Sequence, residues 1–219
     1  MVMLKVIIGI DEDRHAQVLA EALEEAFRSG IAPTVSVEPP IVQVLAEGLI
    51  LPQEALFCPL TLKLPSGLDF PAKAVYQACQ AVEDLRQVVR GWGYEVGEGR
   101  YWLPIVRTAK GPLYAEAIAL TPEGTYVQPF DLVDRDRQPL YHLSHRLLER
   151  LRATPGVYLV QFDLTPQEIV FDRLLPFPDF PALASIGVQS PDLWVCHWSC
   201  LLGQPLHDLT IVPQLPETV

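Results

Sequence analysis

The sequence predicts an α+β fold built on a mainly antiparallel sheet with packed helices. Three observations predict it: two segments that read as β-hairpins, a leucine-striped helix between them, and a strand–helix unit ahead of both. Residues 3–10 alternate and branch as a strand does, and Leu19, Leu23, Ala26 and Phe27 then share one helical face between about Arg14 and Ser29. Asp11 or Asp13 can cap that helix, and Gly30 can end it. The proline-punctuated stretch 31–52 carries a short helical pattern at 42–47, and 60–64 reads as a short strand running into the turn Pro65-Ser66-Gly67. A second helix over about 73–90 places Val75, Val82, Leu85, Val88 and Val89 on its apolar side, with Gly91 as its stop.

Residues 101–106 form the next predicted strand, and 114–120 and 125–130 a hairpin around Thr121-Pro122-Glu123-Gly124. Pro139, in a first turn, opens a third helix whose Leu140, Leu143, Leu147 and Leu151 make one stripe. Segments 156–164 and 169–174 are expected to pair antiparallel, with that helix packed on their sheet. The last helix is expected to start at Ser190-Pro191 and stop at Gly203, with a loose tail from Pro213. The expected organisation is one domain over 1–219, with a small lobe over about 31–107 and a larger one over about 108–212.

Composition bounds the function. The chain has 219 residues, 49% hydrophobic and 20% charged, with a mean hydropathy of +0.20, which suits one substantial core and excludes a disordered chain. Asp+Glu exceed Lys+Arg, 27 to 16, for a net charge of −11, so nucleic acid and anionic membrane surfaces are poor partners and a basic protein surface a better one. No apolar run approaches the roughly 18–20 residues of a membrane span, and the run at 6–10 meets Asp11-Glu12-Asp13 at once, so a soluble, cytoplasmic chain is expected. Its four cysteines are expected to be reduced, buried and metal-free, and its 21 prolines imply short elements with rigid connections.

The candidates for chemistry are few. Cys196 and Cys200, four apart on a helix, could point two thiolates one way, but no second Cys/His pair matches them, so they read as small buried hydrophobes. His142, His145, His15 and His207 have no nucleophile–base context, and neither a Gly-x-Ser-x-Gly nor a glycine-rich phosphate loop occurs. The string 91–99, rich in glycine but bulky and acidic, reads as a mobile connection. The stretch 174–183 presents Phe177, Phe180 and Leu183 on a proline-stiffened path and is expected to be either a loop packed on its own sheet or a surface for a protein partner or a second copy.

The order of motifs in the C-terminal half resembles the end of the ATP-grasp domain in the carboxylate–amine ligases, in particular the N5-carboxyaminoimidazole ribonucleotide synthetases of purine synthesis. The carrying segments are Gly156-Val157-Tyr158-Leu159-Val160-Gln161-Phe162-Asp163, then Glu168-Ile169-Val170-Phe171-Asp172, Pro176, and a helix closing in Leu202-Gly203-Gln204-Pro205-Leu206. Upstream, Cys58-Pro59-Leu60-Thr61-Leu62-Lys63 resembles the strand whose lysine meets nucleotide phosphates. Glu116-Ala117-Ile118-Ala119-Leu120 with Glu123-Gly124 resembles a strand and turn of the second subdomain, and Gly30-Ile31-Ala32-Pro33 resembles the family's entry segment. The resemblance spans about residues 25–208 and implies a lone ATP-grasp-like domain without the family's N- and C-terminal domains.

It also implies a damaged centre. The family's metal-binding glutamate is matched by Gln161, its Asn-Glu pair by Asp172-Arg173, its Pro-Arg by Pro176-Phe177, and its glycine-rich flap by Ser66-Gly67-Leu68-Asp69-Phe70-Pro71-Ala72-Lys73. Phosphoryl transfer relies on Mg²⁺ held by carboxylates, and a cation at Arg173 opposes a dication. The resemblance therefore implies a pseudoenzyme that binds a partner protein or a small phosphorylated ligand. Lys63, Glu116, Gln161, Asp172 and Arg173 are its ligand candidates; ATP is the one cofactor left open, and Mg²⁺ is argued against. The alternatives are a divergent ligase using Glu168 or Asp163 as metal ligands, and an unrelated scaffold with no nucleotide site.

Overall fold

The computed structural model describes residues 4–13, 15–30, 37–52 and 54–213. The expected entry segment at 31–33 and most of the tail lie outside them, as does Arg14. The chain opens with β1 (Val6–Ile10) and α1 (Ala16–Gly30), whose Leu19, Ala20, Leu23 and Ala26 are buried as the periodicity requires. β2 (Ile41–Val44) and β3 (Leu56–Pro59) then pair parallel with β1, giving the order β2-β1-β3. The helical pattern read at 42–47 is therefore a strand, because the β-branched Ile41, Val42 and Val44 find a partner in β1. The strand expected at 60–64 lies earlier: its register runs from Val6↔Leu56 to Gly9↔Pro59, and β1 ends at Ile10, leaving Thr61 and Leu62 nothing to pair with.

The helix expected over 73–90 is two helices, α2 (Lys73–Gln80) and α3 (Val82–Arg90), broken at Ala81 (φ −80°, ψ 65°). Cys79 and Leu85 are both buried yet six residues apart, an interval that a continuous 3.6-residue period cannot place on one face. The break re-phases the apolar stripe and turns Arg86 toward the sheet. β4 (Glu95–Val96), β5 (Tyr101–Thr108), β6 (Gly111–Tyr114), β7 (Ala117–Leu120) and β8 (Tyr126–Phe130) follow. After α4 (Asp134–Leu151) come β9 (Gly156–Leu164) and β10 (Ile169–Leu175), a 3-10 turn (Phe180–Ser185), β11 (Gln189–Ser190), α5 (Leu193–Leu201) and β12 (Thr210–Ile211). α4 starts before Pro139, at Asp134, because Asp134 and Asp136 favour its positive end, and Pro139 sits inside the helix. α5 starts after Pro191, because the Asp192 carboxylate accepts the N–H groups of Trp194 and Val195, a better cap than Ser190 offers.

The large sheet has the order β4-β10-β9-β5-β7-β8, with β6 also on β5, and is antiparallel except for β4 on β10. β10 pairs with β9 as expected, and α4 packs on their sheet through Leu140, Leu143, Leu147 and Leu148. Burying each such leucine is worth roughly 1.5–3 kcal/mol. Alternate side chains serve two cores. Trp102, Val106, Val157 and Leu159 face α1, α5 and the small sheet, while Leu103, Ile105, Tyr158, Val160 and Phe162 face α2, α3 and α4. A sheet covered on both sides explains why β5 and β9 read as unbroken apolar runs.

Two expectations need adjusting. A lobe boundary near residue 107 falls inside the large sheet, since β5 is one of its inner strands. The three parallel strands around α1 were not expected; a β-α-β unit of this kind is the smallest piece of a doubly wound sheet.

Candidate functional site

The ends of three strands converge on a cavity of about 250 Å³. Asp11 and Asp13 follow β1, Leu60, Thr61 and Lys63 follow β3, and Phe177, Asp179 and Phe180 follow β10. In the order β2-β1-β3 the crevice past β1 and β3 is the point where strand order reverses, the place where open α/β sheets receive ligands. Asp11 accepts the Thr61 hydroxyl at 3.1 Å, and its Oδ2 stands 3.1 Å from Lys63 Nζ. Burial alone would raise the Asp11 pKa, but the Asp13 N–H, Lys63 and Thr61 together bring it below the ordinary value. Asp13 holds His15 Nδ1 at 3.0 Å. Asp179 caps the 3-10 turn through the Phe180 N–H at 2.8 Å; burial pushes its carboxyl pKa up, and the nearby Asp11 adds to this.

Of the residues the sequence singled out as ligand candidates, only Lys63 belongs to this cavity. Gln161, Asp172 and Arg173 meet elsewhere, on β9 and β10, where Arg173 pairs with Gln161 in register. Asp172 is 2% exposed and fully engaged. Its Oδ1 accepts Arg86 Nη2 at 2.7 Å and Arg173 Nε at 3.1 Å, and its Oδ2 accepts the Gly99 N–H at 2.9 Å. Gln161 Nε2 donates to the Gly99 carbonyl at 2.6 Å, and Arg86 also donates to the carbonyls of Asp172 and Gly97. The segment 91–99, expected to be mobile, is thus nailed to β10 through β4, and a Cβ at Gly99 would stand 2.4 Å from the Phe162 carbonyl. Arg86 is the residue the sequence reading missed; its signal was a cation on the buried side of a helix that breaks just before it.

Glu116 is apart from both groups, just ahead of β7 and 3.6 Å from Arg137 of α4. The flap-like segment is fastened: Ser66 hydrogen-bonds Glu47, and Leu68 and Phe70 are in the core. Phe177, expected on a partner surface, is 3% exposed and stacks on Tyr76, so it belongs to the core; Phe180 and Leu183 are half-buried beside it. All four thiols are buried and free, and burial raises the pKa of each, with Cys79 and Cys200 reaching about 12, which disfavours the thiolates a metal would bind. His197 is fully buried: Val157 N–H donates to its Nδ1 at 3.0 Å, leaving Nε2 as the donor 3.2 Å from Cys58 Sγ. Burial lowers its pKa to about 3. No described helix is long and apolar enough to cross a membrane.

No protein-family model matches the sequence, and no curated protein matches it significantly. Solved structures match the fold. The N5-carboxyaminoimidazole ribonucleotide synthetase of Thermotoga maritima shares it with a TM-score of 0.65 at 12% identity, over 94% of this chain and 78% of that one. The ADP-complexed N5-carboxyaminoimidazole synthetase of Staphylococcus aureus gives 0.66 at 10% identity, over 96% and 81%. Glycinamide-RNase-transformylase T of Mycobacterium tuberculosis gives 0.64 at 12%, over 95% and 82%. A span of 94% cannot be reached without most of α1, so the likeness extends ahead of the residues from which it was first read, and an unrelated fold is excluded. The fold is that of the ATP-grasp enzymes.

Proposed function

We propose that this protein is a non-catalytic binding protein on an ATP-grasp fold, with its ligand in the cavity at the ends of β1, β3 and β10. The observation that carries this reading is the state of Asp172. It is the one carboxylate left at the positions that match the family's metal ligands, and Arg86, Arg173 and the Gly99 amide consume its acceptors. A Mg²⁺ there would have to displace the half-buried Arg86 guanidinium, with a neutral amide at Gln161 already turned to Gly99. These residues do not fit the ion, and without its charge the γ-phosphoryl transition state loses several kcal/mol of stabilisation.

The divergent-ligase alternative finds little support. Asp163 is shared between the Leu164 N–H and Arg100, and Glu168 is exposed on the turn between β9 and β10. The buried position of Phe177 weighs against the loop as the main contact surface and favours the cavity. The three carboxylates there weigh against a phosphorylated ligand.

The test is ATP turnover in Mg²⁺, alone and with bicarbonate plus amines. No turnover above the buffer rate is expected. Steady hydrolysis that disappears in Gln161→Ala would overturn the reading.

A further inference from the structure

The arginines of this chain are paired unevenly. Seven of those described, Arg86, Arg107 and Arg173 among them, stand within ion-pair distance of a carboxylate. Among the described residues Arg90, Arg146, Arg150 and Arg152 have no such partner, although acids outnumber bases by 27 to 16. These four share one region. His142, His145, Arg146, Glu149 and Arg150 lie on the exposed arc of α4, opposite its leucine stripe, and Arg152 caps the helix. Arg146 stands 4.3 Å over the ring of Trp92, in the turn that follows Arg90 at the end of α3. The face holds one carboxylate, Glu149, which Arg107 meets at 3.4 Å, and α2, packed beside α4, contains none. Stability does not explain the cluster. A helix C-terminus gains from a nearby cation, but several guanidinium groups together repel one another. Arg152 also holds the left-handed conformation φ 50°, ψ 48°, which favours glycine, so its side chain is kept there at a cost.

We infer that this face of α4 binds a short acidic segment of a partner protein, with its carboxylates on Arg146, Arg150 and Arg152. The net charge of −11 favours basic partners on the rest of the surface; here the sign is reversed. All four unpaired cations are arginine and none is lysine, and the planar guanidinium fork matches a carboxylate in two parallel hydrogen bonds. From His142 to Arg152 the face runs about 16 Å, the length of about five residues of extended chain. Nucleic acid fits less well, because its charge continues beyond this span onto a surface that is acidic elsewhere. The surface is separate from the cavity, so its occupant and the cavity's ligand are independent.

The test is a nuclear magnetic resonance titration of the labelled chain, at low and at high salt, with capped hexaglutamate, capped hexalysine and hexathymidylate DNA. Hexaglutamate should move the Trp92 indole N–H and the amides of His142, Arg146 and Arg152 and saturate, and it should weaken as salt screens the charges. Hexalysine should have no effect, and the DNA should bind at least about tenfold more weakly than hexaglutamate. Arg146→Gln with Arg150→Gln, at exposed positions where glutamine keeps the helix, should weaken hexaglutamate about tenfold or more. Arg152→Gly should weaken it too while leaving the fold at least as stable, since glycine suits the left-handed cap; a merely structural arginine would not divide the two effects in this way. Arg28→Glu with Arg100→Glu, both exposed on other elements, should leave the affinity unchanged. No saturable shift, shifts centred elsewhere, DNA binding as tight as hexaglutamate, or equal losses in the Arg28 and Arg100 control would each overturn the inference. So would a dimer in sedimentation that Arg146→Gln with Arg150→Gln dissolves, because the occupant would then be a second copy.

Discussion

Asp172 and Asp179 lie seven residues apart, one inside β10 and one just beyond it, and their surroundings are opposite. Asp172 is sealed from water and receives two guanidinium groups and a backbone amide. Asp179 is half-buried against phenylalanine and leucine, receives one amide, and faces a second carboxylate across the cavity. A carboxylate whose acceptors are all engaged holds elements together. One that is half-buried among apolar groups with a single donor gains little from its charge and anchors only its own turn. Asp172 thus ties β10 to its surroundings, whereas Asp179, past the end of the strand, keeps one oxygen without a protein partner among the described residues.

That contrast is broken most forcefully at Arg86. Its guanidinium joins Asp172 to α3 and, through Gly97, to β4. Arg86→Ala leaves Asp172 buried beside only the half-exposed Arg173, and removing one partner of a buried pair typically costs about 3–5 kcal/mol. Equilibrium urea unfolding should show the unfolding free energy fall by that amount, with the midpoint falling in proportion. A loss below about 1 kcal/mol would mean that Arg173 and Gly99 satisfy Asp172 by themselves, and that its engagement is not the structural anchor argued here.

A smaller effect comes from His197, the buried counterpart of the exposed His15. Its pKa in the folded chain is about 3 against an ordinary value of 6.5, because burial disfavours the imidazolium. Between those values the unfolded chain binds the extra proton, so folding stability is greatest above pH 6.5 and declines as the pH falls, by at most about 1.4 kcal/mol per unit. Asp11 and Asp13 have lowered pKa values and add their own losses only near and below their ordinary value of 3.8, while burial raises Asp179 and Asp192 and makes them act in the opposite direction, so the histidine is read from the difference between wild type and a variant lacking it, from pH 7 to 5. The unfolding free energy of the wild type relative to His197→Gln should decline across that window. A flat difference would mean that the ring is solvated.

Much of the fold was legible because periodicity reports burial. The stripe Leu140, Leu143, Leu147 named its face correctly, the pairing of 156–164 with 169–174 followed from the turn between them, and the order of elements was enough to suggest the ATP-grasp architecture. What failed were the features that pairing decides. Nothing local says that Ile41–Val44 will lie on β1, or that 73–90 must break to turn Arg86 inward. The candidate site was harder to read for the same reason. Asp11 was visible only as a helix cap and Asp179 only as a spacer between prolines, and they become neighbours through the order β2-β1-β3 and the end of β10. Lys63 was picked for its likeness to a phosphate-binding lysine, but its partner here is a carboxylate.

The finest test of the comparison exchanges the same atoms at both positions. Asp172→Asn replaces a charge that two arginines and an amide have come to meet, so the loss of charge-assisted hydrogen bonds should destabilise by about 1.5–3 kcal/mol. Asp179→Asn keeps the oxygen that accepts the Phe180 N–H and removes a charge that has no ion-pair partner among the described residues. Burial, and then Asp11, raise the folded pKa of Asp179, so its ionised form weakens the fold at neutral pH, and the penalty fades as the pH drops through that raised value. At pH 7 the variant should therefore be as stable as the wild type or slightly more so, within about 1 kcal/mol, and this small advantage should shrink toward pH 4. Urea midpoints of the two variants at pH 7 and pH 4 decide it. If Asp179→Asn costs as much as Asp172→Asn, then Asp179 is engaged as fully as Asp172, and the contrast between the two carboxylates fails.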